Sequence, residues 1–206
     1  MKSNQNFNKL ADNQRIAKAV KALEANGIKT LVVKNGKEAK EEVLGMLPTG
    51  AEVFTATSRT GEIISLAKEI NESGKYDSVR QKLMKMDRST QSREMAKIGA
   101  APEFVVGSVH AITEEGQLLI ASATGSQLST EVYSAEKVIF IVGTQKIVKN
   151  LQEGLRRIYE YSYPLEDARA QKAYGMRSGV NKILIINKEM IPGRITIVLI
   201  KENLGF

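Results

Sequence analysis

Three short segments of this chain combine hydroxyls, glycines and cations in the manner of a loop that receives an anion. Thr57, Ser58 and Arg59 follow an apolar run at 52–56, Thr124, Gly125 and Ser126 follow another at 117–122, and Gln145 and Lys146 follow the most apolar run of all at 138–142. Small residues let a ligand approach backbone N–H groups, and a helix that starts there adds a favourable dipole. Ser, Thr and Gly are also ordinary turn formers. Their recurrence after three separate strands is what points to a ligand. Gly107 and Ser108 stand at a similar strand end, just before the lone histidine, His110. A strand histidine suits a hydrogen-bonded structural role as well as a binding or acid–base one. Glu166 and Asp167 open a helix, where the dipole alone favours carboxylates. They are also candidates for a general base. The catalytic candidates are thus His110, Glu166 and Asp167.

Other chemistries are closed to the chain. Its 206 residues contain no cysteine and one histidine. A disulfide, a thiolate nucleophile, a Cys-ligated zinc and an iron–sulfur cluster are therefore excluded. A carboxylate-bound magnesium would have no recognisable loop, so no metal or cofactor is expected. Neither the phosphate loop of nucleotide hydrolases nor G-x-G-x-x-G is present, and the G-x-S-x-G elbow is missing too. No apolar run approaches a membrane span, and residues 1–7 lack a signal-peptide core, so a cytoplasmic location is expected. A net charge of +7 favours anionic ligands. Much of the excess lies in Lys75, Arg80, Lys82, Lys85, Arg88, Arg93 and Lys97, with only Tyr76 available for stacking. That pattern reads as a solvated face and argues against nucleic acid.

The elements that must position these residues alternate. Apolar spacing predicts helices at 13–25, 38–47 and 61–71, and strands at 30–33 and 52–56. Residues 74–99 form a basic, helical, insertion-like segment, suited to cover a sheet edge or to act as a lid. A hairpin is expected over 104–122 with its turn at 113–116, then a short helix through Tyr133, in which Glu131 reads as a surface residue. After the strand 138–142, Gly143 to Lys146 should turn directly into a helix with the stripe Ile147, Leu151, Leu155 and Ile158. A further helix starts near Pro164, and strands at 183–186 and 195–200 close the chain. Alternating strands and helices indicate a parallel sheet. With no linker or repeat, one domain spanning 1–206 is expected.

Several of these segments together resemble the LUD (lactate-utilisation) domain family. The similarity runs through Val106 to Ala111, Ala121 to Gln127, Val142 to Val148, Pro164 to Ala170, Asn181 to Asn187 and Gly193 to Thr196. The first hundred residues match in outline, chiefly through Thr57-Ser58-Arg59. The resemblance implies an α/β fold like that of sugar-phosphate isomerases, glucosamine-phosphate deaminases and CoA-transferases. This is a three-layer, open, mostly parallel sheet with helices on both faces and an antiparallel hairpin. It further implies a link to lactate oxidation, beside iron–sulfur partner proteins whose clusters this cysteine-free chain cannot carry.

Three functions follow as expectations. The first is a non-redox accessory subunit that binds a small anionic metabolite through the strand-end loops. The second is a standalone isomerase- or CoA-transferase-like enzyme acting on a sugar phosphate or acyl-CoA, with Glu166 or Asp167 as base. The third is a scaffold whose basic helix at 76–97 docks a partner.

Overall fold

A computed structural model describes residues 2–206. Its strands are β1 (Lys29–Val33), β2 (Glu52–Thr55), β3 (Asp77–Ser78), β4 (Phe104–Gly107), β5 (Ala111–Thr113), β6 (Leu118–Ser122), β7 (Lys137–Gly143), β8 (Ile147–Val148), β9 (Lys182–Ile186) and β10 (Ile195–Ile200). The α-helices are α1 (Asn13–Ala25), α2 (Gly36–Met46), α3 (Arg59–Ile63), α4 (Leu66–Glu72), α5 (Val79–Met84), α6 (Ser92–Ala100), α7 (Leu151–Arg157) and α8 (Tyr163–Tyr174). Two wide, five-residue π-turns are set among them, at Thr130–Ser134 and Ile158–Ser162.

Six strands form a wholly parallel sheet in the order β1-β10-β7-β4-β2-β3. A second, mixed sheet runs β8-β5-β6-β9, with β5–β6 and β6–β9 antiparallel and β5–β8 parallel. Alternation along β7 shows why the large sheet is covered twice. Val138, Phe140 and Val142 join the core shared with α1 and the small sheet, while Ile139 and Ile141 join the core under α2 and α4. Strand β6 divides in the same way. Leu118 and Ile120 face the large sheet, whereas Leu119 packs with Ile158 and Tyr161 behind. Continuous apolar runs are the sequence consequence of burial on both faces. The result is a three-layer α/β fold.

Local sequence explains the helix ends. Asp12, Asn35 and Asn150 each cap a helix by accepting from the backbone N–H three residues on. Gly27 ends the first helical segment at φ +78°, and a Cβ there would sit 2.2 Å from the Glu189 carbonyl oxygen. Four expectations are corrected. Phe104–Gly107 belongs to the large sheet, so the hairpin is confined to β5 and β6, and His110 precedes β5 instead of alternating within it. The helix expected at 61–71 is two helices broken at Ser65, which takes a left-handed conformation with φ 55°. Ile147–Val148 pairs with β5 as a strand, so the following helix starts only at Leu151. Within 74–99 the structure shows an edge strand, β3, paired with β2, then the separate helices α5 and α6. Among the described residues, no helix is long and apolar enough to cross a membrane.

Candidate functional site

Parallel strands deliver their carboxyl ends to one edge of a sheet, which is where open α/β folds bind ligands. The loops after β2, β4 and β7 meet there, joined by the loop after β6 and by the chain end that follows β10. They enclose a cleft of about 270 Å³. Of the residues singled out by sequence, Thr57, Ser58, Arg59, Ser108, His110, Thr124, Ser126, Lys146 and Glu166 line it. Gly107, Gly125, Gln145 and Asp167 do not, although each supports a neighbouring part.

The loop at 57–59 is held rigidly. Ser58 caps α3 by accepting from Gly61 N–H at 3.3 Å, and Thr57 Oγ1 accepts from Arg80 Nη2 at 2.7 Å. Arg80 Nε also donates to the Thr55 carbonyl, which places this half-buried cation on the cleft wall. Burial, the largest influence, lowers its pKa. Arg59 pairs with Glu62 at 3.1 Å on the exposed rim. In the loop after β6, Ser122 Oγ accepts from Gly125 N–H and Thr124 bonds Ser126, so Gly125 shapes the turn.

Lys146 lies at the base of the cleft with 2% of its surface exposed. Its Nζ donates to Ser108 Oγ at 3.1 Å, Val109 O at 3.1 Å and Thr60 Oγ1 at 3.3 Å. Both hydroxyls have already given their own protons away, Ser108 to the Ile141 carbonyl and Thr60 to the Leu204 carbonyl. They can therefore only accept from the amine. Three acceptors suit the three N–H bonds of an ammonium, whereas burial and the Arg157 charge pull the pKa well below that of ordinary lysine. Gln145 turns away and donates to the carbonyls of Leu204 and Gly205, which fastens the chain end that carries Phe206 into the cleft.

His110 lines the cleft with Nδ1 accepting from Ala121 N–H at 3.1 Å. Burial first, then the charges of Lys146 and Arg157, hold its pKa down at about 3. Its carbonyl accepts from Nη1 of Arg157, which also donates to Ser162 at 3.0 Å. The remaining nitrogens of Arg157, Nε and Nη2, are buried without a partner. Burial lowers this arginine to about 10.

The carboxylates divide sharply. Glu166 lines the cleft but is gripped by both arms of Arg169 at 2.7 and 2.8 Å. Asp167 turns aside to Arg177 at 2.6 Å and Ser178 N–H at 3.0 Å, and the Arg177 bond keeps its pKa low. Glu131, expected at the surface, is instead 1% exposed and lines the cleft, with Oε2 lacking any partner. Burial pushes its pKa up to about 8. A Cβ on Gly107 would meet the Glu131 Oε1 at 3.4 Å and the Ala56 Cβ at 3.2 Å, so the glycine makes room for this carboxyl. Sequence reasoning missed Glu131 and Arg80, which line the cleft, and Arg157, which does not line it but holds the His110 carbonyl behind it. Glu131 lies in one of the π-turns and Arg157 beside the other. Among the described residues, no group of three or more His, Asp or Glu is placed to hold a metal ion.

The wider comparisons agree with this architecture. A crystal structure of a DUF162 family protein from Deinococcus radiodurans is similar, with a TM-score of 0.57 over 93% of this chain and 99% of that one, at 9% identity. At that identity the likeness concerns the fold alone. No curated protein matches the sequence. The LUD domain model matches residues 16–200, and the chain belongs to the LUD-domain family.

Proposed function

We propose that the cleft binds a small anionic metabolite, and that the protein serves lactate or related organic-acid metabolism as a cytoplasmic, non-redox subunit. One observation carries the reading. Lys146 and Arg157 are both buried, and neither has a carboxylate partner among the described residues. A buried unpaired cation costs several kcal/mol on the order of magnitude scale, and an anion brought into the cleft offsets that cost. Lys146 has spent its hydrogens on the protein, so it acts through its field, while Arg80 and Arg59 on the wall and rim offer contacts. Electron transfer is left to iron–sulfur partners, consistent with a chain that has no cysteine.

Calorimetric titration with lactate, pyruvate, sugar phosphates and CoA esters tests the reading. Lys146→Met should weaken the bound anion by about 1 to 3 kcal/mol while the fold survives. Arg80→Ala should weaken it comparably. Affinity unchanged in both variants would move the anion elsewhere.

Glu131 favours a second reading, an isomerase- or CoA-transferase-like enzyme. A carboxyl with a pKa near 8 can exchange a proton close to neutral pH. In this reading Glu131 is a better acid–base candidate than the ion-paired Glu166. Turnover of a sugar phosphate or acyl-CoA that disappears in Glu131→Gln and persists in Glu166→Gln would support it.

A further inference from the structure

The single histidine has one ring nitrogen committed. Nδ1 faces the Ala121 backbone N–H, which can only donate, so Nδ1 must be the unprotonated nitrogen. A neutral imidazole with a bare Nδ1 carries its proton on Nε2. Among the described residues no group bonds Nε2, and it is not among the buried unpartnered atoms, so it opens toward the cleft that His110 lines. The charges packed nearest are Lys146 and Arg157, both cationic, and both resist a second proton on the ring. Arg157 Nη1 and the Leu119 carbonyl clamp the His110 backbone through its carbonyl and its N–H, which fixes where the ring sits.

We propose that His110 is a fixed Nε2–H hydrogen-bond donor to an uncharged ligand oxygen, so that the preferred ligand joins an anionic group to a carbonyl. The proposal rests on the anion-binding reading of the same cleft and adds the second half of the ligand. It also separates His110 from proton abstraction. A ring whose Nδ1 is occupied and whose Nε2 is protonated has no lone pair to offer. His110 is then a positioning group that polarises a carbonyl.

Matched probes test it. Pyruvate and methacrylate share shape and charge but differ in a carbonyl against a methylene, and acetol phosphate and methallyl phosphate form the same contrast on a phosphate. In at least one pair the carbonyl member should bind about 5- to 10-fold more tightly, as one hydrogen bond gives. His110→Asn keeps an oxygen near the position of Nδ1 for Ala121 N–H and removes the Nε2 donor. It should remain folded by circular dichroism and bring the ratio close to one. Nitrogen-15 spectra of the full-length protein, free of ligand, should show a pyrrole-type Nε2 and a pyridine-type Nδ1 from pH 5.5 to 7. If the two members bind equally to the wild type in every pair that binds, the donor role is overturned while anion binding stands. If no probe binds at all, the anion-binding reading fails, and with it the ligand assigned here. A protonated Nδ1 would overturn the donor assignment by itself.

Discussion

Two arginines are buried, Arg194 at 3% and Arg157 at 0% exposure, and the protein treats them differently. Arg194 is satisfied on every side. It pairs with Glu189 at 2.7 Å and donates to the carbonyls of Ala135, Thr130 and Glu131 at 3.1 to 3.2 Å. Those bonds stitch the π-turn that carries Glu131 to the start of β10. Arg157 has the His110 carbonyl, Ser162 and the Tyr161 ring at 5.0 Å, but no acid, and two of its nitrogens are idle. Complete satisfaction marks a charge kept for the fold. In the proposed anion-binding reading, the charge left short beside the cleft is the one held for a ligand, as perturbed groups at functional sites often are.

Breaking the satisfied arginine should have the largest effect. Arg194→Met takes the charged partner from the largely buried Glu189, which keeps only the Ile191 N–H. It also removes a donor from three carbonyls, of which Thr130 keeps the Ala135 N–H, costing about 3 to 5 kcal/mol in urea unfolding. A loss under about 1 kcal/mol would remove the contrast with Arg157.

Glu131 should behave in the opposite sense. Its folded pKa lies near 8, above the ordinary 4.5. The unfolded chain therefore releases this proton first, and stability falls as pH rises from about 4.5 to 8. Glu131→Gln should stabilise the protein by on the order of 2 to 4 kcal/mol at pH 8 and by almost nothing at pH 4, read from chemical denaturation at both pH values. An equal gain at both would show that the carboxyl is not held protonated.

His110 has its pKa shifted the other way, from 6.5 to about 3. Stability linked to it is present above pH 6.5 and declines as pH falls toward 3, by at most about 1.4 kcal/mol per unit. Acidic residues titrate in the same window, so the measurement is the difference between wild type and His110→Asn, whose profile should be the flatter. Smallest of all is Arg157→Met, which should change ligand-free stability by less than about 1.5 kcal/mol, in either direction. The same substitution should weaken the anion, a separation that Arg194→Met does not show.

Much of the site was legible because it depends on local pattern. Hydroxyl-rich loops after apolar runs marked 57–59, 108, 124–126 and 146; the parallel sheet brings 57–59, 108 and 146 to one edge, and the mixed sheet packed on it supplies the 124–126 loop. Gln145 and Asp167 have equally suggestive types, yet Gln145 ties down the chain end and Asp167 holds Arg177 and Ser178. A side chain's direction depends on which partner is nearest, and these partners lie 59 or 60 residues away for Gln145 and 10 or 11 for Asp167.

The sequence by itself determined the α/β class, the strands buried on both faces and the absence of thiol chemistry, since each follows from composition or short-range periodicity. Only the tertiary structure decided that Glu131 is buried and that Arg157 lacks an acid. Glu131 lies inside a turn of five residues and Arg157 directly before another, and such turns break the 3.6-residue spacing that sequence reading relies on. A pKa near 8 at Glu131 likewise comes from burial, and one near 3 at His110 from burial and then the charges of Lys146 and Arg157, supplied by segments distant in the chain and assembled only on folding.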